Sequence, residues 1–260
     1  HTFNGRRDEA WAVIEDAPNW GGPELHIQKG RLLLADYDTN RDAGHSDTDI
    51  LSAAEATFRE ALESDRESGL AWLCLGRCQR LAGDIDEATI SLNRSRRLMD
   101  DPMIAAEESL IAVDEGRIDD AARLIDEADI TESKSLVIPY VKGLVAAKRG
   151  VLSEALDRFN EVLMVNPHHV RARLNRITLH LLAEDVQTAL DDCDWLLMTY
   201  PNLLLAKLRR GEALIQHGIF DEAEREIRAV LQEQPENEVA LTRLGSCLLA
   251  QGRADEAFQP

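Results

Sequence analysis

Apolar and polar positions along this chain follow the period of a helix. Val170, Leu174, Ile177 and Leu181 form one apolar stripe, spaced so that all four share one face of an α-helix. A recurring punctuation divides these stripes. A Gly, four residues and an Ala appear as Gly5-Arg-Arg-Asp-Glu-Ala10, Gly83-Asp-Ile-Asp-Glu-Ala88 and Gly116-Arg-Ile-Asp-Asp-Ala121. They return as Gly150-Val-Leu-Ser-Glu-Ala155, Gly218-Ile-Phe-Asp-Glu-Ala223 and Gly252-Arg-Ala-Asp-Glu-Ala257. A seventh copy, Glu184-Asp-Val-Gln-Thr-Ala189, lacks the Gly. From Ala121 the alanines recur every 34 residues, at 155, 189, 223 and 257. Internal repetition at this period signals stacked supersecondary units.

Each position in the unit has a physical role. Gly accepts the left-handed conformation that ends a helix. The Asp or Ser two residues before the Ala is placed to cap the next helix. The Ala is small enough to let two helices approach. Pro167, Pro201 and Pro235, also 34 apart, end the second helix of their units. The predicted unit is therefore helix, tight turn, helix and Pro-containing turn.

This pattern closely resembles the tetratricopeptide repeat. Trp72-x-x-Leu75-Gly76 and Leu241-x-x-Leu244-Gly245 carry the family's first-helix signature, and Gly143 and Gly211 occupy the equivalent slot. Leu92, Ile125, Phe159 and Ile227 are the large residues of second helices, with small Ser95 and Ala128 three residues after the first two. The resemblance implies an all-α fold, a right-handed superhelical solenoid of antiparallel helix hairpins. It reads as a single array: a half repeat over 1–22, repeats starting near 23, 69, 102, 136, 170 and 204, and a partial repeat over 238–260. In the half repeat, Arg7 to Ala17 reads as a second helix. The first full repeat is about 12 residues longer than the others, and the polar run Asp38–Thr48 reads as an extended loop. Pro139 moves the start of its helix to about Ile138. Both ends read as cut, as in a window from a longer chain, and open ends of a solenoid are surfaces for self-association.

Composition agrees with helices. Apolar residues make up 44 % of the chain and aromatics 5 %, and Ala and Leu lose little on entering a helix. Formal charge is -19, with 15 basic and 30 acidic groups over residues 1–135. Such a field repels polyanions, so nucleic acid and anionic membrane are not expected partners. Recognition of a basic partner by the first half is the alternative to a merely solubilising surface. No apolar run of about 18 residues is present to insert in a bilayer. Cys74, Cys78, Cys193 and Cys247 have no zinc-site spacing. They read as reduced thiols at packing positions, which favours a reducing, cytoplasmic compartment.

No nucleotide loop, nucleophile elbow or metal-binding helix motif appears, so neither catalysis nor a cofactor is expected. His168-His169 reads as a surface turn. Asp191-Asp192 and Glu107-Glu108 read as solvated faces or partners for arginines. The resemblance implies instead a concave groove lined by first helices, which binds a peptide or helix of a partner protein. The family's groove positions fall at Leu73, Arg77, Tyr140, Leu144, Arg171, Leu174, Leu208 and Glu212, with Leu81, Thr178, Thr242 and Ser246 beside them. Against this, the stripe of Val170, Leu174, Ile177 and Leu181 is itself a core pattern. Burying it would bring Arg173 and Arg176 to solvent and make Leu174 and Leu208 core. Arg77 and Tyr140 carry polar ends able to read a ligand. The Lys-then-Asn pair of the family's carboxylate clamp is absent. The reading is a non-catalytic interaction scaffold. The alternatives are the substrate-recruiting repeats of a larger enzyme, such as a glycosyl- or sulfo-transferase, and the ligand domain of a peptide-sensing regulator.

Overall fold

A computed structural model describes residues 22–42, 47–129 and 135–257, together with 9, 11, 12 and 14. Among them every regular element is a helix. Of the helix expected over Arg7 to Ala17, Glu9, Trp11, Ala12 and Ile14 are helical, and the rest lies outside the described residues. The first helices are α1 (Pro23–Asp42), α3 (Gly69–Ala82), α5 (Pro102–Asp114), α7 (Val137–Lys148), α9 (Val170–Leu182), α11 (Leu204–His217) and α13 (Glu238–Ala250). The second helices are α2 (Thr48–Ser64), α4 (Ile85–Leu98), α6 (Ile118–Asp129), α8 (Leu152–Val165), α10 (Val186–Thr199), α12 (Phe220–Glu233) and the short α14 (Ala254–Ala257). The fold is an all-α repeat solenoid of paired helices.

One turn closes the hairpins. Gly83, Gly116, Gly150, Gly218 and Gly252 all have φ between 76° and 91°. At the first, the Gly83 N–H donates to the Arg80 carbonyl (3.1 Å) and the Asp84 N–H to the Gln79 carbonyl (2.9 Å). These two bonds satisfy carbonyls that a helix end leaves open. The degenerate copy keeps the turn without the glycine. Glu184 has φ 60°, and the Asp185 N–H still reaches the His180 carbonyl at 2.9 Å.

Two sequence expectations change. The acidic residue two places before each Ala is not the cap. Asp84 occupies the cap position of α4, and Asp86 lies in its first turn. One residue after the left-handed turn suffices to enter the next helix. Asp86, Asp119 and Asp221 therefore act on the positive end of the helix dipole. The second change concerns the long first repeat. Helix α1 runs through Asp42, so residues 38–42 are helix where a loop was expected, and 43–46 lie outside the described residues. Tyr37, near the end of α1, is only 4 % exposed, so this part of the helix is held by packing.

Among the described residues the chain divides into two compact units, one running to Val145 without Asp42, the other starting at Ala146. In the first, Leu34, Tyr37, Phe58, Leu75 and Cys78 form one core cluster, and Leu73, Leu92, Ile104 and Ile111 another. A Cβ on Gly76 would lie 2.9 Å from the Leu92 side chain, so only glycine lets α3 and α4 close on each other. The second unit repeats the device. Ile177, Cys193, Leu196, Ala213 and Ala223 form its main cluster. A Cβ on Gly211 would meet Ile227 at 2.8 Å. Ala155 and Ala223, the repeat alanines, are fully buried.

Candidate functional site

Successive first helices within a unit stand against one another: α3 touches α5, α9 touches α11, and α11 touches α13. Their remaining faces carry arginines and carboxylates.

In the first unit Arg77 ion-pairs with Asp38 of α1 and lies 3.8 Å from Glu107 of α5. Arg80 Nε donates to the same Glu107 at 2.7 Å. Glu107 is only 2 % exposed. Burial alone would oppose charge on Arg77, but Glu107 and Asp38 outweigh it and hold its pKa above the ordinary arginine value. Arg77 thus ties three first helices together, with its side chain 31 % exposed. Leu73 sits in the core, Tyr140 is 9 % exposed, and Leu144 is half-buried.

The second unit has an open recess of about 240 Å³ between α9, α11 and α13. Thr178, Leu181 and Leu182 line it from α9, Arg209, Glu212, Ile215 and Gln216 from α11, and Arg243 and Ser246 from α13. Glu212 is 7 % exposed. It accepts from Arg209 Nη1 at 2.6 Å and from Arg243 Nε at 2.7 Å. The sequence reading assigned Thr178, Glu212 and Ser246 to this surface and missed Arg209, Arg243 and Leu182. The 34-residue spacing of the two arginines was the available signal. Leu208 is buried against Ile227 and Val230. Leu174 is half-buried against the main cluster, and Arg171 is half-buried near the start of α9.

Arg173 does not reach solvent as expected. The stripe of Val170, Ile177 and Leu181 is buried, and Arg173 is buried too, at 8 % exposure. Asp192 of α10 accepts from Arg173 Nη1 at 2.6 Å and from Arg176 Nη2 at 2.7 Å. Arg173 also donates to the Pro167 carbonyl and stacks 3.8 Å over Trp195. A guanidinium with a carboxylate, a carbonyl and an aromatic face around it tolerates burial. His168 packs on the same Trp195, and His169 caps α9 through Nδ1, accepting the Ala172 N–H at 3.2 Å. Both histidines serve the turn.

Among the described residues, no group of His, Cys, Asp and Glu is arranged to hold a metal ion, and no helix is long and apolar enough to cross a membrane. All four cysteines are buried and free.

Tetratricopeptide repeat models match residues 51–102, 140–198 and 214–258. Curated relatives match over part of their length. The human DnaJ homolog subfamily C member 3 is 34 % identical over 98 residues, which is 37 % of this chain and 19 % of that protein. Its mouse counterpart is 30 % identical over 123 residues, 45 % of this chain and 24 % of that protein. The chain thus spans about a fifth to a quarter of these relatives. Among solved structures, a chain of the APC/C hetero-tetramer Cut9-Hcn1 superimposes with a TM-score of 0.79 at 14 % identity, covering 94 % of this chain and 46 % of that one. A tetratricopeptide repeat protein from Parabacteroides merdae gives 0.58 at 20 % identity, covering 88 % and 90 %. These likenesses establish the fold. Helix pairs at a 34-residue period, left-handed turns in register and the matched repeats together place this chain in the tetratricopeptide repeat family, whose members are scaffolds for protein–protein interaction.

Proposed function

We propose that this chain is a non-catalytic scaffold that binds a peptide or helix of a partner protein on the exposed faces of its first helices. The supporting observation is the recess of the second unit, where apolar side chains, hydroxyls and guanidinium groups meet on three successive first helices. Guanidinium groups bind and orient carbonyl or carboxylate oxygens and stay charged near neutral pH, so they do not serve as acids or bases. Leu182, 65 % exposed, offers an apolar contact beside them. Arg77, Tyr140 and Leu144 are the corresponding contacts of the first unit, and Arg171, Leu174 and Glu212 flank or floor those of the second.

The test compares variants against a captured partner. Arg77→Ala, Tyr140→Ala and Arg243→Ala are set beside Glu87→Ala and Asp157→Ala, two exposed changes on second helices. An anchoring residue should weaken binding by about 1–2 kcal/mol, with the second-helix changes silent. If only the second-helix changes weaken binding, the acidic outer faces carry the function and this reading fails.

A further inference from the structure

We propose that the recess of the second unit selects an acidic peptide segment, one that places an aliphatic side chain next to a carboxylate. The inference rests on the reading of the first helices as the binding face and names what that face prefers.

Charge is segregated in this unit. Helices α9, α11 and α13 carry seven Lys and Arg residues against two carboxylates, Glu212 and Glu238. Helices α8, α10 and α12 carry eleven carboxylates against three arginines. Much of the first-helix charge is spent inside the fold. Arg173 and Arg176 pair with Asp192, and Arg210 pairs with Asp194 and Glu226. Two cations in the recess are not spent in this way, since Arg209 and Arg243 share the single carboxylate of Glu212. The recess therefore holds an excess positive charge in a chain of net charge -19.

The hydrogen-bond inventory agrees. Arg209 uses Nη1 on Glu212, and Arg243 uses Nε. Among the described residues, Arg209 Nε and Nη2 and Arg243 Nη1 and Nη2 make no hydrogen bond. The Arg243 side chain is 45 % exposed and that of Arg209 28 %. A guanidinium fork with open donors matches a carboxylate in geometry and charge. Glu212 holds both forks in place before a ligand arrives, which lowers the ordering cost of binding. Leu182, Leu181 and Ile215 form the apolar side of the recess, and this decides the ligand class. A sugar-phosphate backbone has nothing to set on that side and meets the repulsion of the whole chain. A peptide supplies the aliphatic group and the carboxylate together.

The test uses the full chain and three labelled amphipathic peptides built on Leu with Glu, Gln or Lys. The Glu peptide should bind, weakening as salt rises. The Gln peptide should bind about tenfold or more weaker, as a lost charge-assisted bond requires, and the Lys peptide weaker still. Arg243→Gln should erase the difference between Glu and Gln peptides, and Arg243→Glu should invert it toward Lys. Circular dichroism spectra like that of the unchanged chain are required of each variant, so that lost binding is not lost folding. Equal binding of all three peptides, lost in Leu182→Ser, would keep the binding face and overturn its acidic preference. Displacement of the Glu peptide by a short single-stranded oligonucleotide would overturn the peptide assignment. No binding of any peptide would overturn this inference and the first-helix reading together.

Discussion

Arg176 grips Asp192 across the α9–α10 hairpin, with Nε on Oδ2 at 2.8 Å and Nη2 on Oδ1 at 2.7 Å. One repeat later Arg210 stands in the same relation to Glu226, at 2.9 Å, each residue displaced by 34 positions. The backward contacts repeat as well. Arg176 reaches Asn160 at 2.7 Å and Arg210 reaches Asp194 at 2.7 Å. Polar contacts between helices thus follow the repeat as closely as the alanines do.

Asp192 is the carboxylate on which two arginines depend. Replacing it by Ala strands the buried Arg173, and the expected loss is about 3–5 kcal/mol, the usual result of breaking a buried pair from one side. Arg173→Met combined with Asp192→Leu should recover most of that loss. Urea unfolding followed by circular dichroism measures both. A loss under about 1 kcal/mol for Asp192→Ala would mean that Trp195 and the Pro167 carbonyl suffice for Arg173.

Glu184 occupies a left-handed backbone position that five other repeats give to glycine. The left-handed conformation costs a residue with a side chain about 1–2 kcal/mol. The extra freedom of an unfolded glycine offsets about 0.4–1 kcal/mol of that. Glu184→Gly should therefore stabilise by up to about 1.5 kcal/mol, and Gly218→Ala should destabilise. A thermal melt that falls for Glu184→Gly would contradict the strain argument.

Gly211 sits where a methyl group would approach Ile227 to 2.8 Å. Gly211→Ala should destabilise by about 1–3 kcal/mol through overpacking. Ile227→Val, tested together with it, should return part of the loss. Additive losses in the double variant would show that the two sites do not share this contact.

Burial pushes the Cys74 thiol up to about 11 and Cys193 to about 12, against an ordinary value of 9.0. The native protein should react with a thiol reagent at mildly alkaline pH only after denaturant is added. The sign for stability follows. The neutral thiol belongs to the folded state, so its contribution is intact below the unfolded value near 9 and is lost as pH rises toward 11. Rapid labelling of native protein near pH 8 would show that α3 and α10 open readily.

Sequence alone determined the repeat. The spacing of Ala121, Ala155, Ala189, Ala223 and Ala257 marks helix pairs at a 34-residue period, because a small residue recurs where the two helices of each hairpin close on each other. Glycine marks the hairpin turns because five of them need positive φ. Even the gap in the pattern, at Glu184, was legible as a turn without its glycine. Tertiary structure decided which polar groups are buried. Arg173 and Leu174 are neighbours on α9, and by hydropathy the leucine is the one to hide. Arg173 is 8 % exposed while Leu174 stays half-buried, because a charge enters the interior where Asp192, the Pro167 carbonyl and Trp195 surround it. The first two lie before and after α9 in sequence, on separate elements. The same holds for the recess. Arg209 and Glu212 are a local pair on one helix, whereas Arg243 joins Glu212 from 31 residues away. Only the stacking of α13 on α11 brings that second guanidinium to the carboxylate. Local spacing sets the rhythm of such a chain, and the partners of its buried charges are set by what the neighbouring repeat presents.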